Sequence, residues 1–272
     1  MKKPVALRNF RSLARLLEAV SPEPEAEARE IYFHLGLNLL DPLPEGLDPW
    51  LSELVQRRRR GEPLAYILGH RAFLDLDLEV TPAVLIPRPE TEVLALLAPE
   101  RARRWPAPEV ADVGTGSGAL ALYLARHHPA ARVVATDLSA EALRVARRNA
   151  HRLGIAGVHW VQADLLSGFG TAGLHLVVSN PPYVSETEYA NLPRELHHEP
   201  RGALVAGRRG LELQEALLRQ ALRVLRPGGL ILLELAPFQA ARLREKARSL
   251  GYRRVHIHPD LSGRPRVLEA WR

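Results

Sequence analysis

The sequence predicts an α/β fold: a mostly parallel sheet with helices on both faces, preceded by a small N-terminal helical bundle and a β-hairpin linker. Three observations predict it. From Glu109 onward, short apolar runs alternate with helical stretches, and such alternation builds a parallel sheet covered on both sides. Residues 1–72 look helical, with apolar residues of NFRSLARLLEAV at helix-face spacing. Between the two, FLDLDLEVTPAVLI (73–86) alternates apolar and acidic residues at the period of a strand, broken by Thr81-Pro82.

Taken in order, NFRSLARLLEAV puts Phe10, Leu13, Leu16, Leu17 and Val20 on one helical face. Ser21-Pro22-Glu23-Pro24 stops that helix and starts a second over Glu25–Leu37. A third runs from about Pro49 through Arg60, with Gly61 as its C-cap. The 73–86 stretch follows as a hairpin. In the third region, 87–272, EVADV, ARVVATD, VHWVQAD, LHLVVSN and LILLELA read as strands. ALALYLARHHP, AEALRVARRNAHRLG, LELQEALLRQALRVL and FQAARLREKARSL read as helices. The tail YRRVHIHPDLSGRPRVLEAWR holds two strand-like arms without a helix between them, so the sheet closes on an antiparallel hairpin.

Composition narrows the class. The chain has 272 residues, 46% hydrophobic and 25% charged, the balance of a globular protein. No apolar run reaches the ~18 residues of a membrane span. Arg8, Arg11 and Arg15 interrupt the N-terminus, which is read as mature chain and not as a signal peptide. Without cysteine there is no disulfide framework and no thiolate metal site. A cytoplasmic protein is expected. Residues 1–75 carry eleven basic and eleven acidic side chains, so the net charge of +6 lies wholly in 76–272. The scarcity of Cys and Met and the 22 prolines fit a thermophile or a GC-rich genome.

Four polar positions fall at predicted strand carboxyl ends, where open α/β sheets bind ligands. Asp112-Val113-Gly114-Thr115-Gly116-Ser117-Gly118 places glycines between a strand and a helix N-terminus. Such a turn lets backbone approach a ligand closely, or merely makes a tight turn. Its G-x-G-x-G spacing is not the G-x-G-x-x-G of a dinucleotide site. Asp137 ends the next strand and can accept from both hydroxyls of a ribose. It could also cap the following helix, a job Ser139 can do instead. Asp164 and Leu165 end the third strand, placed to meet an adenine edge and face. Asn180-Pro181-Pro182-Tyr183 ends the fourth. Asn180, standing before proline, is pushed toward an extended backbone, and both prolines stiffen the main chain.

DVGTGSG, Asp137, Asp164 and NPPY together resemble class I S-adenosylmethionine-dependent methyltransferases that modify planar –NH₂ groups. The resemblance implies a seven-stranded, Rossmann-like sheet with an antiparallel last strand. A planar amide or amine nitrogen has a delocalised lone pair and is a poor nucleophile. The Asn180 side-chain oxygen and the Pro181 carbonyl can accept its two N–H bonds where positive charge develops, and Tyr183 can pack on the flat group. NPPY alone does not tell a glutamine amide from an adenine or guanine amino group.

RRRRGEPLAYILGHRAF (57–73), LIPRPETE (85–92), HEPRGALVAGRRGL (198–211) and DLSGRPRVLEA (260–270) are similar to the HemK/PrmC family, the peptide-chain-release-factor glutamine methyltransferases. The resemblance implies methyl transfer from S-adenosyl-L-methionine, leaving S-adenosyl-L-homocysteine, to the side-chain amide nitrogen of the Gly-Gly-Gln glutamine in class 1 release factors. It implies donor contacts from Gly114, Thr115, Gly116, Ser117, Gly118, Asp137, Asp164, Leu165 and Asn180. It implies catalysis by Asn180, Pro181 and Tyr183, with Pro182 completing the glutamine site. Leu165 departs from the aromatic often found there and would stack less on adenine. Arg88, Glu90 and Thr91 would lie near the site, and the helical domain 1–72 would help hold the release factor. A monomer that needs neither membrane nor nucleic acid is expected, and no metal.

Arg57–Arg60 reads as a solvated charged face, with contact to the release factor as the alternative. His197 and His198 lack metal-ligand spacing and read as loop residues. Two other functions compete. A DNA or rRNA amine methyltransferase would share NPPY, but the neutral N-terminal region lacks the basic stripe of a nucleic-acid domain. A non-enzymatic binding protein would not need Asn180 and Tyr183 intact.

Overall fold

A computed structural model describes residues 9–272. Residues 1–8, which open the stretch read as mature chain, lie outside the described residues. The chain divides into two compact units: residues up to Gly69 together with Pro193–His198, and His70–Leu192 together with Glu199–Arg272.

The first unit is helical: α1 (Phe10–Leu17), α2 (Pro24–His34), α3 (Asp48–Arg59) and α4 (Leu64–Leu68). Asn9 caps α1: its side chain accepts the Ser12 N–H at 3.1 Å, and the Ser12 hydroxyl accepts the Asn9 N–H in return. Leu13, Leu17, Ile31, Tyr32, Leu51 and Leu54 form the core. The run Arg57–Arg60 departs from the expected solvated face. Arg58 lies four residues past Leu54, on the inner face of α3, with only 2% of its side chain exposed. It donates to Glu27 and, at 3.1 Å, to Glu195. Arg57 pairs with Glu62, leaving Arg59 and Arg60 in solvent. A buried guanidinium persists only because both acids neutralise it.

The second unit begins with β1 (His70–Phe73) and β2 (Leu76–Glu79), paired antiparallel. The hairpin thus starts before the expected 73–86 window. Its turn is Leu74-Asp75, with Leu74 at φ +50°, and carries no Gly or Pro signal. Thr81-Pro82 comes after the hairpin. There follow α5 (Thr91–Ala102), β3 (Glu109–Val113), α6 (Ala119–His127), β4 (Arg132–Asp137), α7 (Ala140–Arg152), β5 (Val158–Gln162) and β6 (Leu174–Ser179). Next come two short helices, α8 (Glu186–Tyr189) and α9 (Arg201–Leu204), then α10 (Glu212–Val224), β7 (Leu225–Glu234), α11 (Ala240–Leu250), β8 (Arg254–Pro259) and β9 (Pro265–Trp271).

The seven-stranded sheet runs β5-β4-β3-β6-β7-β9-β8. It is parallel from β5 to β7, and β9 pairs antiparallel with both β7 and β8. Alternation within the strands feeds two cores. Val110, Leu176 and Val178 pack on one face with Leu94, Leu122 and Leu124. Ala111, Val113 and Val177 pack on the other with Leu217, Leu218 and Leu243. Strands buried on both faces read as continuous apolar runs, which is why β6 is legible as LHLVVS.

Candidate active site

The strand order reverses between β3 and β6, the point where open α/β sheets leave a crevice. A cavity of about 350 Å³ opens at the strand carboxyl ends, lined there by Gly114, Thr115, Gly116, Ser117, Asp137, Asp164, Leu165 and Asn180. Gly118 and the two remaining members of NPPY's first three residues divide differently. Pro182 reaches the wall, whereas Pro181 is buried and Gly118 sits beneath the turn. Tyr183 is half-buried and does not line the cavity.

The glycine turn is built by close packing. Gly118, at φ +88°, caps α6, and a Cβ there would stand 3.1 Å from Leu122 and 3.2 Å from Ala146. The Gly114 and Thr115 N–H groups both donate to the Thr136 carbonyl. Beneath them the buried Asp112 Oδ2 accepts the Thr115 hydroxyl at 2.6 Å and the Ala121 N–H at 3.1 Å, while Oδ1 has no partner among the described residues. Burial pushes this carboxyl up to about 7. Asn149 of α7 reaches the Ser117 carbonyl at 2.9 Å and both main-chain groups of Glu79, tying the turn to the hairpin.

Asp137 is not the cap of α7. Ser139 is, accepting the Ala142 N–H at 3.1 Å. Asp137 Oδ2 instead accepts the Gly116 N–H and Oδ1 the Ser139 N–H, each at 2.9 Å. A carboxylate has about four acceptor sites, so lone pairs remain for hydroxyls in the cavity.

Asn180 Nδ2 donates to the Thr91 hydroxyl at 3.0 Å, and Oδ1 accepts no hydrogen bond among the described residues. Behind it, Gln239 Nε2 donates to the Tyr183 carbonyl at 3.1 Å and the Gly210 carbonyl at 2.8 Å. Gln214 joins that network through Gln239 and the Glu234 carbonyl. Burial, then the Glu234 charge, pushes the Tyr183 hydroxyl up to about 12, so it stays neutral.

Sequence reasoning missed several contributors. Glu199 is almost wholly buried, accepts the Ile86 N–H at 3.1 Å and pairs with Arg88. That joins the 85–87 wall of the cavity to the wall made by Pro200, Gly202 and Ala203. Leu138 and Ala142 also line the cavity. Glu234 ends β7 beside the β6 terminus, because Leu233 pairs with Ser179. LILLELA shows the Glu but gives no sign that it ends beside the strand that carries NPPY.

A seven-stranded sheet of this order, with a glycine turn at the switch point and a polar strand end across from it, defines a class I methyltransferase. The comparisons are more specific. The methyltransferase small domain profile matches residues 91–209, and the PrmC N-terminal domain profile matches 10–69. The release factor glutamine methyltransferase of Moorella thermoacetica is 43% identical over 240 residues, 86% of this chain and 85% of its own. That of Deinococcus radiodurans is 42% identical over 269 residues, 95% of each chain. The crystal structure of a ribosomal protein L11 methylase from Lactobacillus delbrueckii subsp. bulgaricus shares the fold, with TM-score 0.52 and 24% identity over 71% of this chain and 83% of its own. The chain belongs to the release factor glutamine methyltransferase family, and is an S-adenosyl-L-methionine-dependent methyltransferase.

Proposed function

We propose that the protein methylates the side-chain amide nitrogen of the glutamine in the Gly-Gly-Gln motif of class 1 release factors. The observation that carries this reading is the likeness along nearly the whole chain to release factor glutamine methyltransferases, joined to an Asn180 whose Nδ2 is already engaged. With Nδ2 held by Thr91, Oδ1 is the atom left to accept from the substrate amide.

The cavity fits the methyl donor. Asp137 keeps acceptor capacity for ribose hydroxyls, the 114–117 backbone offers a close approach, and Leu165 and Leu138 offer apolar cover for a base. S-adenosyl-L-methionine, when bound, supplies an electrophilic methyl group and leaves as S-adenosyl-L-homocysteine. Asn180 Oδ1 and the Pro181 carbonyl would accept the two amide N–H groups and orient the nitrogen toward the donor methyl. As the new N–C bond forms, the nitrogen becomes positive and the two oxygens stabilise it. The nitrogen, acidic only at that stage, then gives up one proton to solvent water, so no strong base is required. Pro182 and Tyr183 complete the glutamine site. The helical unit, matched by the PrmC N-terminal domain, helps hold the release factor. The protein acts as a monomer in the cytoplasm without nucleic acid; among the described residues no helix is long and apolar enough to cross a membrane.

The test is mass spectrometry of the Gly-Gly-Gln peptide after incubation of purified release factor with enzyme and donor. A gain of one methyl on the glutamine is expected, absent in a Gln-to-Ala factor. Label entering DNA or rRNA but not the factor would overturn the reading in favour of the nucleic-acid alternative.

A further inference from the structure

Three elements meet behind Asn180. Asn180 follows β6, Thr91 opens α5, and Glu234 ends β7 next to the β6 terminus. Thr91 is 5% exposed and Glu234 fully buried. Asn180 Nδ2 donates to Thr91 Oγ1 at 3.0 Å. The neighbouring Thr91 hydroxyl favours the ionised form of Glu234, yet neither Glu234 oxygen has a hydrogen-bond partner among the described residues. A fully buried carboxyl with both oxygens unmatched is costly.

A hydroxyl has one proton to give. An ionised Glu234 can only accept, and a small turn of the neighbouring Thr91 hydroxyl would give it that proton. Thr91 Oγ1 must then accept from Asn180, and only the Nδ2 side of the amide can donate. That leaves Oδ1 turned to the substrate. If Glu234 were protonated, it could donate to Thr91 Oγ1, and the Thr91 proton would be free to point at Asn180 Oδ1. The amide would then flip and present N–H groups to a substrate that is itself an N–H donor.

We infer that Thr91 and Glu234 are positioning residues that set the amide orientation of Asn180 and so make its oxygen the acceptor for the substrate nitrogen. This rests on the glutamine-methylation reading for its substrate, but the orientation is a property of the protein alone. Burial pushes Glu234 up to about 7. The charged groups facing it are Arg266 on β9 and Arg88 before α5, which favour the carboxylate, and Glu90, which opposes it; the neutral Tyr183 hydroxyl faces it from the NPPY loop. Arg266 is itself paired with Asp260 at 3.1 Å. The orientation therefore switches near neutral pH: carboxylate and productive amide above, carboxylic acid and flipped amide below.

The experiment has a kinetic and a spectroscopic arm. In the first, Thr91→Val, which keeps the volume but removes the hydroxyl, is expected to lower kcat on the release factor about tenfold or more, with donor affinity changed less than about threefold. Thr91→Ser is expected to restore most of that loss. The wild-type kcat should rise with pH through about 7, and Glu234→Gln should abolish that limb. Full activity in Thr91→Val, a Thr91→Ser variant as impaired as Thr91→Val, or an unchanged limb in Glu234→Gln would overturn the inference. In the second arm, the Asn180 side-chain amide resonances of ¹⁵N-labelled protein, assigned by their loss in Asn180→Asp, are followed from pH 5.5 to 8.5. They should titrate in wild type and not in Glu234→Gln; resonances that ignore pH in both overturn the inference. A wild-type enzyme that leaves the glutamine unmethylated but shows this titration would discard the substrate reading and keep the positioning one.

Discussion

The Asp137 carboxylate, expected to accept ribose hydroxyls, also closes the glycine turn: its Oδ2 accepts the Gly116 N–H at 2.9 Å. The same side chain thus shapes the glycine turn and faces the cavity. Its second oxygen fixes the backbone at Ser139, the residue that caps α7.

Removing that carboxylate should therefore damage donor binding twice, by loss of acceptors and by release of the turn. Asp137→Ala is expected to raise the donor dissociation constant about a hundredfold, the sum of two hydrogen bonds to a charged acceptor at about 1.5 kcal/mol each. Asp137→Asn, which retains one acceptor oxygen, should fall between. Isothermal titration calorimetry with S-adenosyl-L-homocysteine decides it; wild-type affinity in Asp137→Ala would remove Asp137 from the donor site.

Much of this was legible because the α/β unit declares itself locally. β6 carries the apolar run Leu176-Val177-Val178, DVGTGSG stands at a strand–helix joint, and Gly154 stops a helix where left-handed backbone is required. The fold class and the strand ends followed from those signals. The hairpin register did not, since Leu74 takes a positive φ without any turn residue to mark it. Arg58 was misread because the four arginines look alike in sequence, and only the helical phase from Leu54 separates the buried one. Glu199 and Glu234 were invisible as site elements for another reason. Arg88, which pairs with Glu199, and Thr91, which neighbours Glu234, lie more than a hundred residues away in the chain, and only the fold brings them together.

Gly210 backs the NPPY loop so tightly that any side chain collides with it. At φ +72°, an added Cβ would lie 2.6 Å from the Tyr183 carbonyl oxygen and 3.1 Å from the Ser185 nitrogen. Gly210→Ala should cost about 1–2 kcal/mol for the left-handed backbone alone, and more for the clash. The clash falls on the main chain of Tyr183 and Ser185, at the proposed glutamine site. We expect a lower Tm, and a kcat reduced more than about tenfold with donor affinity close to wild type. Equal losses in both parameters would mean general unfolding instead.

The buried Asp112 makes stability depend on pH in a direction opposite to most carboxylates. Its folded pKa is about 7, against about 3.9 in an unfolded chain. The folded state therefore holds the proton between those values while the unfolded state has lost it. The stability this group contributes is complete below pH ~4 and is lost as pH rises toward about 7. Asp112→Asn is uncharged throughout and can still accept from Thr115 and Ala121. The fall in Tm between pH 5 and pH 8 should be smaller in Asp112→Asn than in wild type, by differential scanning calorimetry. An identical fall would place the Asp112 charge outside the pH response.

The Arg88–Glu199 pair gives the sharpest energetic test, because its two members differ in burial. Glu199 has 1% of its side chain exposed and Arg88 has 29%. Arg88→Ala would leave the Glu199 carboxylate buried with only the Ile86 N–H to solvate it, a loss of about 3 kcal/mol or more. Glu199→Gln alone keeps an acceptor for Ile86 and leaves the guanidinium partly in water, so it should cost less. Added to Arg88→Ala, it removes the stranded charge and should recover most of the lost stability. Urea unfolding of the four proteins completes the cycle. Because the pair joins the 85–87 and 200–203 walls of the cavity, the double variant should regain stability without regaining donor affinity. Affinity that returns with stability would show that the walls hold their places without the ion pair.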